Sequence, residues 1–115
     1  MEQTIRQMVD GYQTRVKNHD LQPAEAVKIL KDLASIMGNI NDKILETEIA
    51  YNITLKQALD ANEKANRAII IAKCSPQYEY MMQARNTEKE VKMLISSLNR
   101  FLRVKEDEMR SLKFQ

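Results

Sequence analysis

Ala72-Lys73-Cys74-Ser75-Pro76-Gln77-Tyr78 joins two long stretches whose apolar residues recur at helical spacing, and the reading of that joint decides the fold. Proline at a first helical position costs nothing, because its missing N–H lacks an intrahelical partner there in any case. A preceding serine can accept a hydrogen bond from a backbone N–H of the new helix. Pro76 also biases Ser75 away from helical angles, which stops the incoming helix. The joint therefore predicts a hinge at residues 73–76 and an antiparallel helical hairpin over about residues 41–113.

The two arms carry matching seams. Backward from the hinge run Ala72, Ile69, Ala65, Asn62, Ala58, Leu55, Tyr51, Glu48, Ile44, Asn41 and Met37. Forward from it run Met81, Ala84, Glu88, Val91, Ile95, Leu98, Leu102, Lys105, Met109 and Leu112. Alternation of three and four keeps each set on one helix face, with the period of a coiled-coil seam. Folding at the hinge sets Val91 opposite Ala58, Ile95 opposite Leu55 and Leu98 opposite Tyr51. Ala58, Ala61, Ala65, Ala68 and Ala72 predict a close approach of backbones near the hinge, widening toward the open end. Asn41, Glu48, Asn62, Glu88 and Lys105 interrupt the apolar pattern. Buried polar groups need partners, so Asn62 is expected to meet Glu88 and Glu48 to reach Lys105, fixing the register.

Ahead of the hairpin, Ile5, Met8, Val9, Tyr12 and Val16 mark a short amphipathic helix, weakened at Gly11 by about 1 kcal/mol relative to alanine. Asn18-His19-Asp20-Leu21-Gln22 forms a turn, and Pro23 opens the next helix. Its apolar face, with Val27, Ile29, Leu30, Leu33, Ala34, Ile36 and Met37, is wide enough for more than one neighbour. Gly38-Asn39 permits a stop, with Asn41 or Asp42 capping a new helix, but the phase from Leu30 through Met37 to Ile44 favours continuity. The expectation is an all-α chain, one domain of residues 1–115, with N-terminal helices at about 4–37 preceding a long, coiled-coil-like antiparallel hairpin.

Composition excludes more than it assigns. With 43% hydrophobic and 30% charged residues and only two glycines and two prolines, the 115-residue chain suits an all-helical soluble protein. No apolar run approaches the roughly 18 residues of a membrane span. Met1-Glu2-Gln3-Thr4-Ile5-Arg6 lacks the basic and apolar blocks of a secretory signal, and Cys74 has no second cysteine to pair with, so a cytoplasmic setting is expected. His19 has no second imidazole or thiol at ligand spacing, and Cys74 reads as a small half-buried hinge residue. The acidic groups Glu46 and Glu48, and Glu106-Asp107-Glu108, are interspersed with lysine and arginine and read as solvated faces. No catalytic residue, metal site or cofactor is expected.

A net charge of +2 argues against a strongly basic nucleic-acid binder, although its distribution is uneven. Arg85, Lys89, Lys92, Asn99 and Arg103 lie along one side of the last helix, with Ser96 between them. Together with Tyr80 they are the candidate partner-binding residues, for an acidic protein surface or for phosphates. Glu88, Glu90 and the acidic run at 106–108 flank the stripe and favour a solvated face. Tyr78 is expected to pack at the hairpin turn and Tyr80 to be the more exposed. Seven methionines, including adjacent Met81 and Met82, suit core gap-filling and an adaptable contact surface.

With its hinge and its Leu98-Asn99-Arg100-Phe101-Leu102-Arg103-Val104-Lys105-Glu106-Asp107-Glu108-Met109 ending, the stretch 50–112 resembles a diffuse group of short helical proteins encoded by bacteriophages and prophages. The resemblance implies a small accessory protein that binds a host or phage macromolecule, and such a protein could inhibit a host defence component. It transfers no functional residue. The reading is a non-enzymatic protein-binding module that associates with itself, a symmetric dimer being the favoured form. A nucleic-acid-associated factor using the basic stripe is the alternative.

Overall fold

The computed structural model of the protein describes residues 4–17, 21–61 and 64–113. Four helices account for most of them: α1 (Ile5–Lys17), α2 (Pro23–Asp60), α3 (Ala65–Lys73) and α4 (Pro76–Lys113). There is no strand among the described residues, and α2 and α4 pack against each other as the long arms of an all-α hairpin. Two compact units result, one of Met1–Met37 with Lys89–Gln115 and one of Gly38–Glu88, so α2 and α4 each contribute to both.

In the first unit α1 begins with a reciprocal cap. The Gln7 N–H donates to Thr4 Oγ1 at 3.1 Å and the Thr4 N–H donates to Gln7 Oε1 at 3.0 Å, which satisfies two donors that a helix start leaves open. Val9 is fully buried, with Ile5, Met8, Tyr12 and Val16 half-buried beside it. The Tyr12 hydroxyl donates to Asp32 Oδ2 at 3.1 Å, and Arg15 pairs with Glu25, so α1 lies antiparallel to the start of α2. Arg6 pairs with Asp10 at 2.8 Å and also with Glu90 of α4. The core contains Ala26, Ile29, Leu33 and Ile36 from α2, and Val91, Leu94 and Leu98 from α4, at three- and four-residue spacing. Val27 and Ala34, on the edges of the wide apolar face, are exposed. Asn18, His19 and Asp20 of the expected turn lie outside the described residues.

Helix α2 passes through Gly38-Asn39 without a break. Ile36 and Ile40, buried on either side of the glycine, explain why. Each buried isoleucine contributes about 1.5–3 kcal/mol, more than the roughly 1 kcal/mol that a helical glycine costs.

In the second unit the buried seam of α2 falls one residue ahead of the expected one. Ile40 and Thr47 are buried, Asn41 is exposed, and Ile44, Glu48, Tyr51, Thr54, Leu55 and Ala58 are half-buried. An isoleucine gains more from burial than an asparagine, so Ile40 takes the inward position. Thr47 is tolerated because its hydroxyl can donate within its own helix, to the carbonyls of Lys43 at 2.8 Å or Ile44 at 2.9 Å. Ala68 and Ala72 of α3 and Met81 and Ala84 of α4 complete this core. Ile69 and Ala65, assigned to the seam by spacing, are exposed instead.

The joint at Ser75-Pro76 has the expected cap chemistry. Pro76 is the first residue of α4, and the Tyr78 N–H donates to Ser75 Oγ at 3.3 Å. The joint is not where the chain reverses. The ring of Tyr51 meets Tyr78, with centroids 5.5 Å apart, where Leu98 was expected, and Glu48 pairs with Arg85 at 2.8 Å where Lys105 was expected. In both cases the actual partner lies twenty residues earlier in α4. The midpoint of Tyr51 and Tyr78 falls between residues 64 and 65, and that of Glu48 and Arg85 between 66 and 67. The chain therefore turns back between α2 and α3, and residues 74–75 interrupt the returning arm.

The sequence provides a reason for the earlier turn. Between Leu59 and Ala68 there is no large apolar side chain to bury, and Asp60 sits at the negative end of α2, whose last turn has no basic residue.

Gly38→Ala adds a methyl group that meets nothing within 4 Å, so it is expected to raise stability by about 1 kcal/mol in urea denaturation. A decrease of that size would mean that residue 38 is not helical in solution.

Candidate functional site

The residues proposed for partner binding divide between the units. Tyr80 and Arg85 belong to Gly38–Glu88, while Lys89, Lys92, Asn99 and Arg103 belong to the other unit. Tyr80 is exposed on α4, whereas Tyr78 is half-buried against Tyr51. Arg85 is engaged by Glu48, which lowers its availability to an outside anion. Lys89, Lys92, Asn99 and Arg103 are all exposed, and Lys92 also interacts within the chain.

The expected polar pairs are rearranged. Asn41 points to solvent, and Asn62 lies outside the described residues. Glu88 is half-buried and engaged. Lys105 pairs with Glu108 at 3.5 Å on its own helix and lies 5.8 Å from the centroid of the Phe101 ring. The Glu48–Lys105 pair is therefore replaced by Glu48–Arg85 and Lys105–Glu108, as the twenty-residue change of register requires.

Cys74 is exposed with a free thiol, not half-buried, because the chain does not reverse around it. Among the described residues no group of three His, Cys, Asp or Glu side chains could hold a metal ion. None of their buried side-chain nitrogen or oxygen atoms lacks a partner. A half-open cleft of about 320 Å³ in the first unit is lined by Val16, Leu21, Ser97, Arg100, Phe101 and Val104. It has an apolar floor and one guanidinium, with no carboxylate, imidazole or thiol to move a proton.

The surface that sequence reasoning missed is apolar. On α2, Leu45, Ile49 and Ile53 are 59%, 51% and 52% exposed. They follow one another at four-residue spacing, on the side of the helix away from Thr47, Tyr51 and Ala58. On α3, Ile69, Ile70 and Ile71 are all exposed, Ile70 at 63%. The four-residue spacing from Leu45 to Ile53 was the available signal.

No family model matches the chain, and comparison with curated proteins and with solved structures finds no match to it. No helix among the described residues is long and apolar enough to cross a membrane.

One titrating group bears on stability. Burial raises the Tyr12 hydroxyl above its ordinary value, helped by the hydrogen bond to Asp32 and the charge of Asp32, with Arg15 opposing. The folded state thus holds this proton more tightly than the unfolded state. The stabilisation is fully present below the ordinary tyrosine range near 10 and is lost as pH rises through the higher folded value. Tyr12→Phe is expected to lower stability by about 1 kcal/mol at neutral pH through loss of the Asp32 bond. The deficit should shrink above pH of about 10; a constant deficit in denaturation curves across that range would contradict the linkage.

Proposed function

We propose that the protein is a non-enzymatic protein-binding module, an accessory protein of the phage or mobile-element kind that binds a host protein such as a defence component and inhibits it by binding. The observation that carries this reading is the run Ile69-Ile70-Ile71 on α3, three consecutive isoleucines exposed to solvent on a helix of nine residues. A short helix that keeps such a run outside its own core leaves apolar surface for a partner. Exposed Tyr80 at the start of α4, in the same unit, adds an amphipathic aromatic of the kind enriched at interfaces. The resemblance of residues 50–112 to short helical phage proteins supports the setting.

Phosphate binding along Lys89, Asn99 and Arg103 is the competing reading. Nucleic-acid affinity that falls steeply with salt and disappears in Lys89→Glu/Arg103→Glu would favour it. The protein-binding reading expects a photo-crosslinker at position 70, introduced into the chain in its native host, to give one discrete protein adduct. The same group at position 110 should give none, and Ile70→Glu should abolish capture by a crosslinker at position 80. Absence of an adduct from positions 70 and 80 contradicts the reading.

A further inference from the structure

We propose that the outer face of α2 pairs with the same face of a second copy of this chain, antiparallel, about a two-fold axis passing beside Ile49. Leu45, Ile49 and Ile53 form an exposed apolar ridge on α2. Solvent covers this ridge in one chain, although the opposite side of α2 already supplies the core.

The charges bordering the ridge are arranged symmetrically about its centre. Asp42 and Lys56 each lie seven residues from Ile49, on opposite sides, and Leu45 and Ile53 each lie four residues from it. All five are exposed. An antiparallel copy centred on Ile49 sets Leu45 against the second copy's Ile53 and Ile49 against its counterpart. It also sets Asp42 against Lys56, twice per dimer. A parallel copy would place Asp42 on Asp42 and Lys56 on Lys56, so repulsion opposes that arrangement. Neither Asp42 nor Lys56 forms an ion pair with another described residue, which leaves both available to a second chain. Neighbouring Lys43 and Glu46 pair with each other at 3.8 Å and add no net charge to the flank. A self-complementary surface of this kind closes on two copies and does not extend into a filament.

The pairing is built from α2 residues alone and draws on none of the α3 isoleucines, so it stands independently of the host-protein reading. Sedimentation equilibrium of the full chain, from about 1 µM to 1 mM, is the test. A dimer is expected, with Ile49→Asp shifted to monomer and its far-UV circular dichroism unchanged. Asp42→Lys and Lys56→Asp are each expected to weaken the dimer about tenfold, and the double reversal to restore it. In a Cys74→Ser background, Ile49→Cys should cross-link to itself under mild oxidation. A monomer throughout, a dimer that Ile49→Asp leaves intact, or a double reversal no tighter than the single changes overturns the proposal. A monomer leaves the reading of the α3 surface untouched.

Discussion

The packing of Tyr51 against Tyr78 fixes which turn of α2 faces which turn of α4 in Gly38–Glu88. Their rings meet at 50° with centroids 5.5 Å apart, a tilted arrangement worth about 0.5–1.5 kcal/mol beyond the area it buries. The Glu48–Arg85 pair agrees with the same register but contributes less, because both side chains are more than a third exposed and water screens them. The larger energies come from Ile40, Met81 and the alanines of α3 and α4, which are buried in that register. Ala68, Ala72 and Ala84 leave room for the backbones to come close, so a one-residue slip would bring bulkier groups into contact.

Much of this was legible in the residues. Three- and four-residue spacing identified the buried side of α4 through Met81, Ala84, Val91 and Leu98, and the α1 face around Val9. Ser75-Pro76 was correctly read as a helix start, because cap chemistry is local and needs only neighbouring atoms. Whether a helix start is also a chain reversal is not local. That depends on which register buries the most, and the sequence contained two candidate breaks, one with a strong signature at Ser75-Pro76 and one with a weak polar signature after Asp60. The strong signature marked the interruption and the weak one the reversal.

The exposed apolar surface is harder to read for a related reason. A single hydrophobic stripe is the ordinary sign of an amphipathic helix, and α2 has two on nearly opposite sides between Ile44 and Ala58. One stripe enters the core, and the other, Leu45, Ile49 and Ile53, is left exposed. In α3 the spacing assigns Ile69 to the seam, and only the position of Ala68 and Ala72 in the core shows that Ile70 points outward. The basic residues of α4 stood out in the sequence, yet Arg85 already has a carboxylate partner. Charge patterns are conspicuous in a sequence, whereas spare apolar faces become visible only after the core is known.

The distance between positions 52 and 79, both exposed, tests the reversal between α2 and α3 most directly. Spin labels at Asn52→Cys and Glu79→Cys in a Cys74→Ser background, diluted with unlabelled chain, are suited to pulsed dipolar spectroscopy. The Tyr51–Tyr78 register places the two positions at nearly the same height along the arms, so a separation of about 20 Å or less is expected. A reversal at residues 73–76 would displace them by eighteen residues along the helix axis, and a separation of roughly 30 Å or more would contradict the account.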